Sequence, residues 1–320
     1  MKLPRPSLVV LAFTFALVAR GAGIPPFTID SVLAGLKDTY PQATRVSDVI
    51  PPGVIAFEEV TYAHRSSGDL GLDLYRPAGN EALPAVIIIH GGGWVAGDRR
   101  MERAFAKTLA ARGYVAVPVS YRLGTPGRFP APIEDLKEAV RWLRAHAKDY
   151  HIDPARIAAV GGSAGANLAS MLGVTNGQEA FSSEGENQTL SSDIQAVVNL
   201  DGTVTFMDNT LINVSETQPS PYWEYVHGVY SRNRETWLAA SPLYYVDRHS
   251  APTLFIKSTC VQPVLVGRDE MAQRMGVLGV HAEVIQIPDT PHPFWLVHPW
   301  FEQVVADTDH FLRHELTPRH

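Results

Sequence analysis

The sequence predicts an α/β fold: a mostly parallel central sheet flanked by helices, with an aromatic-rich insertion after the sixth strand. Three observations carry that expectation. Residues 85–90 (AVIIIH) form an unbroken apolar run, as a strand buried on both faces requires. Runs of this kind alternate along the chain with stretches of helical periodicity. The 320 residues are 45% hydrophobic, enough apolar surface for a large core and too much for wholesale disorder.

Composition narrows the function classes. A net charge of −6 argues against the basic footprint of a nucleic-acid binder. The single cysteine, Cys260, excludes an intrachain disulfide framework and a cysteine-based zinc cluster. The absence of an internal repeat disfavours solenoids and propellers.

At the N-terminus, Lys2 and Arg5 precede an apolar run at residues 8–19, and Gly21-Ala22-Gly23 follow. This is the pattern of a secretory signal peptide over residues 1–23. The run is shorter than the ~20 apolar residues of a membrane-spanning helix. The mature chain is therefore expected to be secreted or periplasmic, with no transmembrane segment. Loss of Lys2, Arg5 and Arg20 would take its net charge from −6 to −9.

Residues 24–55 are punctuated by proline and read as an N-terminal arm with one short helix near residues 31–38. A single α/β domain is expected over residues 56–317. It opens with strands at 58–64 and 70–75, joined by the hairpin signal Arg65-Ser66-Ser67-Gly68-Asp69. The buried strand at 85–90 follows, then a helix over 99–112 closed by Gly113, and a strand over 114–121. A long amphipathic helix is expected over 133–150, with Leu136, Val140, Leu143 and Ala147 on one stripe. A strand at 157–160, a helix at 164–171 and a strand at 194–200 come next. Residues 176–192 are polar and read as a surface loop. Further strands at 252–256 and 283–287 and helices at 269–278 and 301–314 complete the pattern.

The insertion, at about residues 203–240, carries Phe206, Tyr222, Trp223, Tyr225, Tyr230 and Trp237. These aromatics either pack the segment onto the body or form a lid or binding loop. Tyr222 and Trp223 are candidates for stacking on a sugar face.

Two glycine-rich motifs carry the chemistry. Gly161-Gly162-Ser163-Ala164-Gly165 follows a predicted strand and precedes a predicted helix. That context suits a nucleophile elbow, a tight turn that exposes the serine hydroxyl at the C-terminal edge of the sheet. His90-Gly91-Gly92-Gly93-Trp94 directly follows the strand at 85–90. Glycines there let backbone N–H groups approach a developing oxyanion, so Gly92, Gly93 and Ala164 are the candidate donors. A phosphate loop fits poorly, since the Lys-Ser/Thr pair and a strand-linked G-x-G-x-x-G are both missing.

With these motifs, the chain resembles the α/β-hydrolase superfamily, in the HGGG branch of hormone-sensitive-lipase-like and feruloyl- or acetylxylan-esterase-like enzymes. The resemblance runs over about residues 57–316. It includes SYRL (120–123), FPAPIEDLKEAVRWLR (129–144), DPARIAAVGGSAG (153–165), SPLYYV (241–246) and PHPFW (291–295). It implies an α/β-hydrolase domain and serine-ester chemistry through an acyl-enzyme, with no metal or organic cofactor. Ser163 would be the nucleophile. The chain order nucleophile, acid, histidine makes His292 the base, because it lies between the last predicted strand and the last helix. His281 and His298 read as structural or exposed. Together with export, the resemblance implies short-chain or aromatic acyl esters, on plant polysaccharide. The alternatives are a serine exopeptidase of the same fold and a catalytically inactive hydrolase-fold binding protein.

The acid departs from the family pattern. Relatives place an aspartate shortly after the strand at 252–256, where this chain has Val261 in Lys257-Ser258-Thr259-Cys260-Val261-Gln262-Pro263. Asp201, at the end of the preceding strand, and Asp269, later in the usual loop, are the two replacements. Glu270 and Asp289 are more remote options. Asp269 also reads as a helix N-cap. Asp98 reads as a cap for the helix at 99, and Cys260 as a small buried residue. Asn187-Gln188-Thr189 and Asn213-Val214-Ser215 are glycosylation sequons, meaningful only in a eukaryotic secretory chain. His310, His314 and His320 read as a solvated helix face rather than a metal site.

Overall fold

The computed structural model describes residues 26–178, 181, 185–217, 220–260 and 265–317. The signal-peptide segment, Val261 and His320 lie outside the described residues. In chain order the elements are α1 (Ile29–Leu36), β1 (Thr44–Arg45), the hairpin β2 (Val54–Arg65) and β3 (Gly68–Pro77), β4 (Leu83–Ile89), α2 (Arg103–Ala110) and β5 (Val115–Val119). Then come α3 (Ala131–Ala145), α4 (Ala147–Tyr150), β6 (Ile152–Gly162), α5 (Ala164–Val174) and β7 (Ala196–Leu200). The insertion forms α6 (Asn209–Thr217), α7 (Pro221–Tyr225) and α8 (Tyr230–Ala239). The chain continues through β8 (Thr253–Lys257), α9 (Arg268–Val277), β9 (Ala282–Gln286), β10 (Val297–His298) and α10 (Phe301–Leu316).

The main sheet has the order β2-β3-β5-β4-β6-β7-β8-β9. The β2–β3 and β3–β5 pairs are antiparallel, and every pair from β5 to β9 is parallel. Helices cover both faces. Along β4, Ala85, Ile87 and Ile89 point to the core under α3 and α5, while Val86 and Ile88 face the core under α2 and α10. This period-two division of an all-apolar strand explains why the run at 85–90 lacks polar alternation. A two-stranded β1–β10 ladder ties the N-terminal arm to the segment just before α10.

Most differences from the sequence-based expectation lie at element ends. The expected helix at 133–150 is two helices, interrupted at His146, whose backbone leaves the helical region (φ −100°, ψ 17°). The expected helix at 99–112 begins with a 3₁₀ turn over Arg99–Glu102, capped by Asp98, whose carboxylate accepts from Arg100 N–H at 2.8 Å. The strand predicted at 157–160 extends back to Ile152.

Strand order places the site. β4 has β5 on one side and β6 on the other, so the chain reverses its direction of travel across the sheet there. Ligand crevices in open α/β sheets form at such switch points, outside the carboxyl ends of the strands. The two glycine motifs leave β4 and β6 at that place.

Candidate active site

β6 ends at Gly162 and α5 begins at Ala164, so Ser163 occupies the turn alone. Its backbone (φ 55°, ψ −116°) lies outside the regions that L-residues ordinarily populate. Ser163 N–H donates to Leu200 O at 2.9 Å, and Ser163 O accepts from Ala166 N–H at 3.0 Å, which holds the turn in place. A side chain at Gly162 would put its Cβ 2.3 Å from the Trp295 indole, so only glycine lets that ring close beneath the serine. The first N–H groups of α5, Ala164 included, have no intrahelical acceptor.

The 90–94 loop lies alongside. A Cβ at Gly91 would be 3.2 Å from Ser163 Cβ, which fixes how closely loop and serine approach. Gly92 has φ 115°, and its added Cβ would sit 2.1 Å from Ala96 O, so the loop turns there only with glycine. His90 anchors the loop. Its ring stacks on Tyr121 (4.5 Å between centroids), and Tyr121 O–H donates to His90 O at 2.9 Å. Burial pushes the His90 pKa down to about 4, so the ring is neutral, and Nδ1–H donates to Gly91 O at 2.7 Å. Trp94 stacks on Tyr225 of the insertion (4.5 Å, 9° between planes) and meets Phe206 and Tyr222 edge-on or tilted. The insertion aromatics thus lock it to this loop. Trp223 is half-buried, and its indole N–H donates to Ser215 O at 2.6 Å.

Parallel pairing brings the carboxylate to the serine. Gly162 is level with Leu200, and Leu200 with Ile256, so Ser163, Asp201 and Ser258 follow neighbouring strand ends. Ser163 Oγ lies 2.8 Å from His292 Nε2, and His292 Nδ1 lies 2.8 Å from Asp201 Oδ2. Asp201 is fully buried, which by itself would raise its pKa. Contacts from His292, Arg268 and Ser258 outweigh that and hold the carboxyl below the usual range. The ionised carboxylate can only accept, so Nδ1 carries a proton; in the neutral imidazole this leaves Nε2 as the acceptor for the Ser163 hydroxyl. Asp201 also accepts from Ser258 Oγ at 2.6 Å, from Ser258 N at 3.2 Å and from the Arg268 guanidinium.

The alternative acids stand apart. Asp269 is 72% exposed and pairs with Lys257 at 2.6 Å, and it does not cap α9, whose N-cap position is Gly267. Glu270 and Asp289 are exposed. Cys260 is half-buried rather than buried, and its N–H donates to Ser258 Oγ at 3.2 Å.

Ser258, Arg268, Trp295 and Glu102 escaped the sequence reading. Arg268 opens α9, where a cation opposes the helix dipole, but the helix expected from the sequence begins one residue later, at 269, so that signal was not read. Glu102 left none. It is buried, accepts a long 3.4 Å contact from Trp295 Nε1, and is pushed by burial to a pKa of about 8. Trp295 in turn stands edge-on to the His292 ring (5.6 Å).

With this geometry in hand, the family is decided by a match of the BD-FAE model to residues 72–267, more than half of the chain. The chain belongs to the BD-FAE family. The BD-FAE match contains the 90–94 loop, Ser163 and Asp201, while Arg268 and His292 lie beyond its end. The chain is 29% identical over 258 residues to the esterase LipC of Mycobacterium tuberculosis, covering 77% of this chain and 64% of LipC. It spans about half to two-thirds of the length of the curated relatives it matches. A truncated carbohydrate esterase from gut microbiota shares the fold at a TM-score of 0.72 and 24% identity, over 82% of this chain and 97% of that one. An esterase from the Planctomycetes species Thermogutta terrifontis aligns at a TM-score of 0.67 and 25% identity, over 84% and 95%. No helix among the described residues is long and apolar enough to cross a membrane.

Proposed function

We propose that this BD-FAE protein is an exported serine esterase that cleaves short-chain or aromatic acyl esters of plant polysaccharide. The observation that carries the reading is the unbroken Ser163–His292–Asp201 hydrogen-bond chain beside the glycine loop at the switch point of the sheet. His292 Nε2 takes the Ser163 proton as Oγ attacks the ester carbonyl. Asp201 keeps the imidazole in the tautomer that can accept and stabilises the imidazolium. The N–H groups of Gly92, Gly93 and Ala164 receive the oxyanion, each donor being worth about 3–4 kcal/mol in sites of this type. The imidazolium protonates the leaving alcohol, and water activated by His292 releases the acid from the acyl-enzyme. Each step uses side chains and amides of this chain.

Support for ester chemistry comes from the relatives, named as esterases at up to 77% coverage of this chain. Support for polysaccharide esters comes from the resemblance to feruloyl and acetylxylan esterases and from the leader-like residues 1–23. The test is release of acetate from acetylated xylan and from p-nitrophenyl acetate by the mature chain and by Ser163→Ala. Serine-dependent release from both substrates is expected. Release from the nitrophenyl ester alone removes the polysaccharide assignment. Serine-independent or absent release from both, with no fluorophosphonate labelling of Ser163, overturns the esterase.

A further inference from the structure

A second cluster of chemically competent side chains lies at the opposite end of the sheet. His281 immediately precedes β9, so it stands at the amino end of the strands, whereas Ser163 stands at their carboxyl end. His314 and Glu315 come from the last turn of α10, which packs across the sheet and ends there. His281 Nδ1 lies 2.6 Å from Glu315 Oε1, and His314 Nδ1 lies 2.7 Å from the same oxygen. One ligand atom from each of the three residues falls within 4.8 Å of the others.

We propose that His281, His314 and Glu315 form a binding site for a borderline divalent cation such as Zn²⁺, unrelated to the ester chemistry. Two imidazoles and one carboxylate match what zinc, copper and nickel prefer, and exclude a calcium-type oxygen cage. Bonds of about 2.0–2.1 Å in a tetrahedron set neighbouring ligand atoms about 3.3 Å apart. The two contacts to Glu315 are tighter by about 0.6–0.7 Å, a shift that the two exposed imidazoles can make. The carboxylate is already placed: the Glu315 side chain is only 2% exposed, while His281 (38%) and His314 (63%) leave the open side for a water ligand.

A further carboxylate completes the arrangement. Glu283 Oε1 lies 3.1 Å from His281 Nε2, on the far side of the ring from Glu315. It can accept Nε2–H and so leave Nδ1 free for the metal, the carboxylate–histidine–metal relay that orients ligands in zinc sites. His314, read from sequence as a solvated face, and His281, read as structural or exposed, belong together only because α10 returns to the edge of β9. A bound ion would fasten the end of α10 to that edge strand.

The experiment uses the untagged full chain, stripped with chelator, and titrates ZnCl₂ by calorimetry at neutral pH. One saturable Zn²⁺ per chain is expected. His281→Ala and His314→Ala should each weaken binding at least tenfold, and Glu283→Gln by about tenfold or more. Zinc should raise the Tm of the parent and of Ser163→Ala equally, and leave that of His281→Ala unchanged. Co²⁺ in place of Zn²⁺ should give visible absorption of a four- or five-coordinate site. The absence of saturable binding at micromolar zinc overturns the site. Binding that persists at full strength in His281→Ala and His314→Ala also overturns it, since the ion then sits elsewhere. None of these readouts depends on hydrolysis, so loss of the esterase reading would leave this one standing.

Discussion

The serine and the amides around it come from two short contiguous segments, residues 90–94 and 161–165. The carboxylate end of the same hydrogen-bond chain draws on separate elements: Asp201 after β7, Ser258 after β8, Arg268 at the head of α9 and His292 beyond β9. The contrast follows from what each end requires. A serine in a strained turn, with glycines against neighbouring backbone and indole, is a local backbone problem with one narrow solution. A carboxylate that must reach Nδ1 is a problem of position only, and adjacent strand ends solve it equally well. A carboxylate after β7 can therefore reach His292 as well as one after β8 would, provided that its site supplies partners for a buried charge, as Ser258 and Arg268 do for Asp201.

The sharpest way to break this comparison is to remove the acid from each candidate position. Asp201→Asn should lower kcat by about 10⁴-fold, because the amide can hold His292 in the wrong tautomer. Asp269→Asn should leave turnover within about twofold, as expected for an exposed ion pair. Kinetics of both variants on p-nitrophenyl acetate decide it. A large loss in Asp269→Asn alone would return the acid to its usual loop.

A smaller effect is expected at Arg268, which distinguishes a supported acid from one that merely sits nearby. Its guanidinium touches Asp201 Oδ1, on the opposite oxygen from His292, and its second nitrogen donates to Leu265 O at 2.9 Å. Arg268→Met removes one charge-assisted hydrogen bond worth about 1.5–3 kcal/mol, which corresponds to about ten- to a hundredfold in kcat. KM should change little, since the residue has no claim on substrate. Arg268→Lys should recover part of the loss, having the charge without the planar fork. A lowered Tm with unchanged kcat in both variants would reduce Arg268 to a structural ion pair.

The same contrast explains how far the sequence could be read. The 90–94 and 161–165 motifs, the alternation of strands and helices, and the position of His292 in the last loop are all local signals, and Ser163, His292 and the sheet were legible from them. Asp201 and Asp269 could not be separated, because the choice rests on β7 lying between β6 and β8, a pairing that no local pattern encodes. Arg268 was not singled out at all, because the expected helix began one residue later and the carboxylate it meets lies 67 positions away. The insertion aromatics were left between packing and binding. Trp94 against Tyr225 and Phe206 gives them a packing role that only the loop's position makes apparent. His281 and His314, 33 positions apart, met only through the return of α10.

Glu102 touches neither end directly and carries the smallest expected effect on turnover. It lies behind Trp295, whose ring closes under Gly162 on one side and faces His292 on the other. Burial raises its pKa from 4.5 to about 8, so it is a neutral acid at moderate pH. A carboxyl whose folded pKa lies above its unfolded value contributes stability that is complete below about pH 4.5 and lost as pH rises through about 8. The amide introduced by Glu102→Gln keeps the neutral shape and never acquires the charge. The variant should therefore match the parent near pH 5 and exceed it at pH 9 by a few kcal/mol, at roughly 1.4 kcal/mol per pKa unit. Its kcat near pH 6.5 should stay within about twofold, because the Trp295 contact survives in the amide. Urea denaturation at the two pH values measures the difference. An identical stability gap at pH 5 and pH 9 would mean that Glu102 does not titrate against its burial.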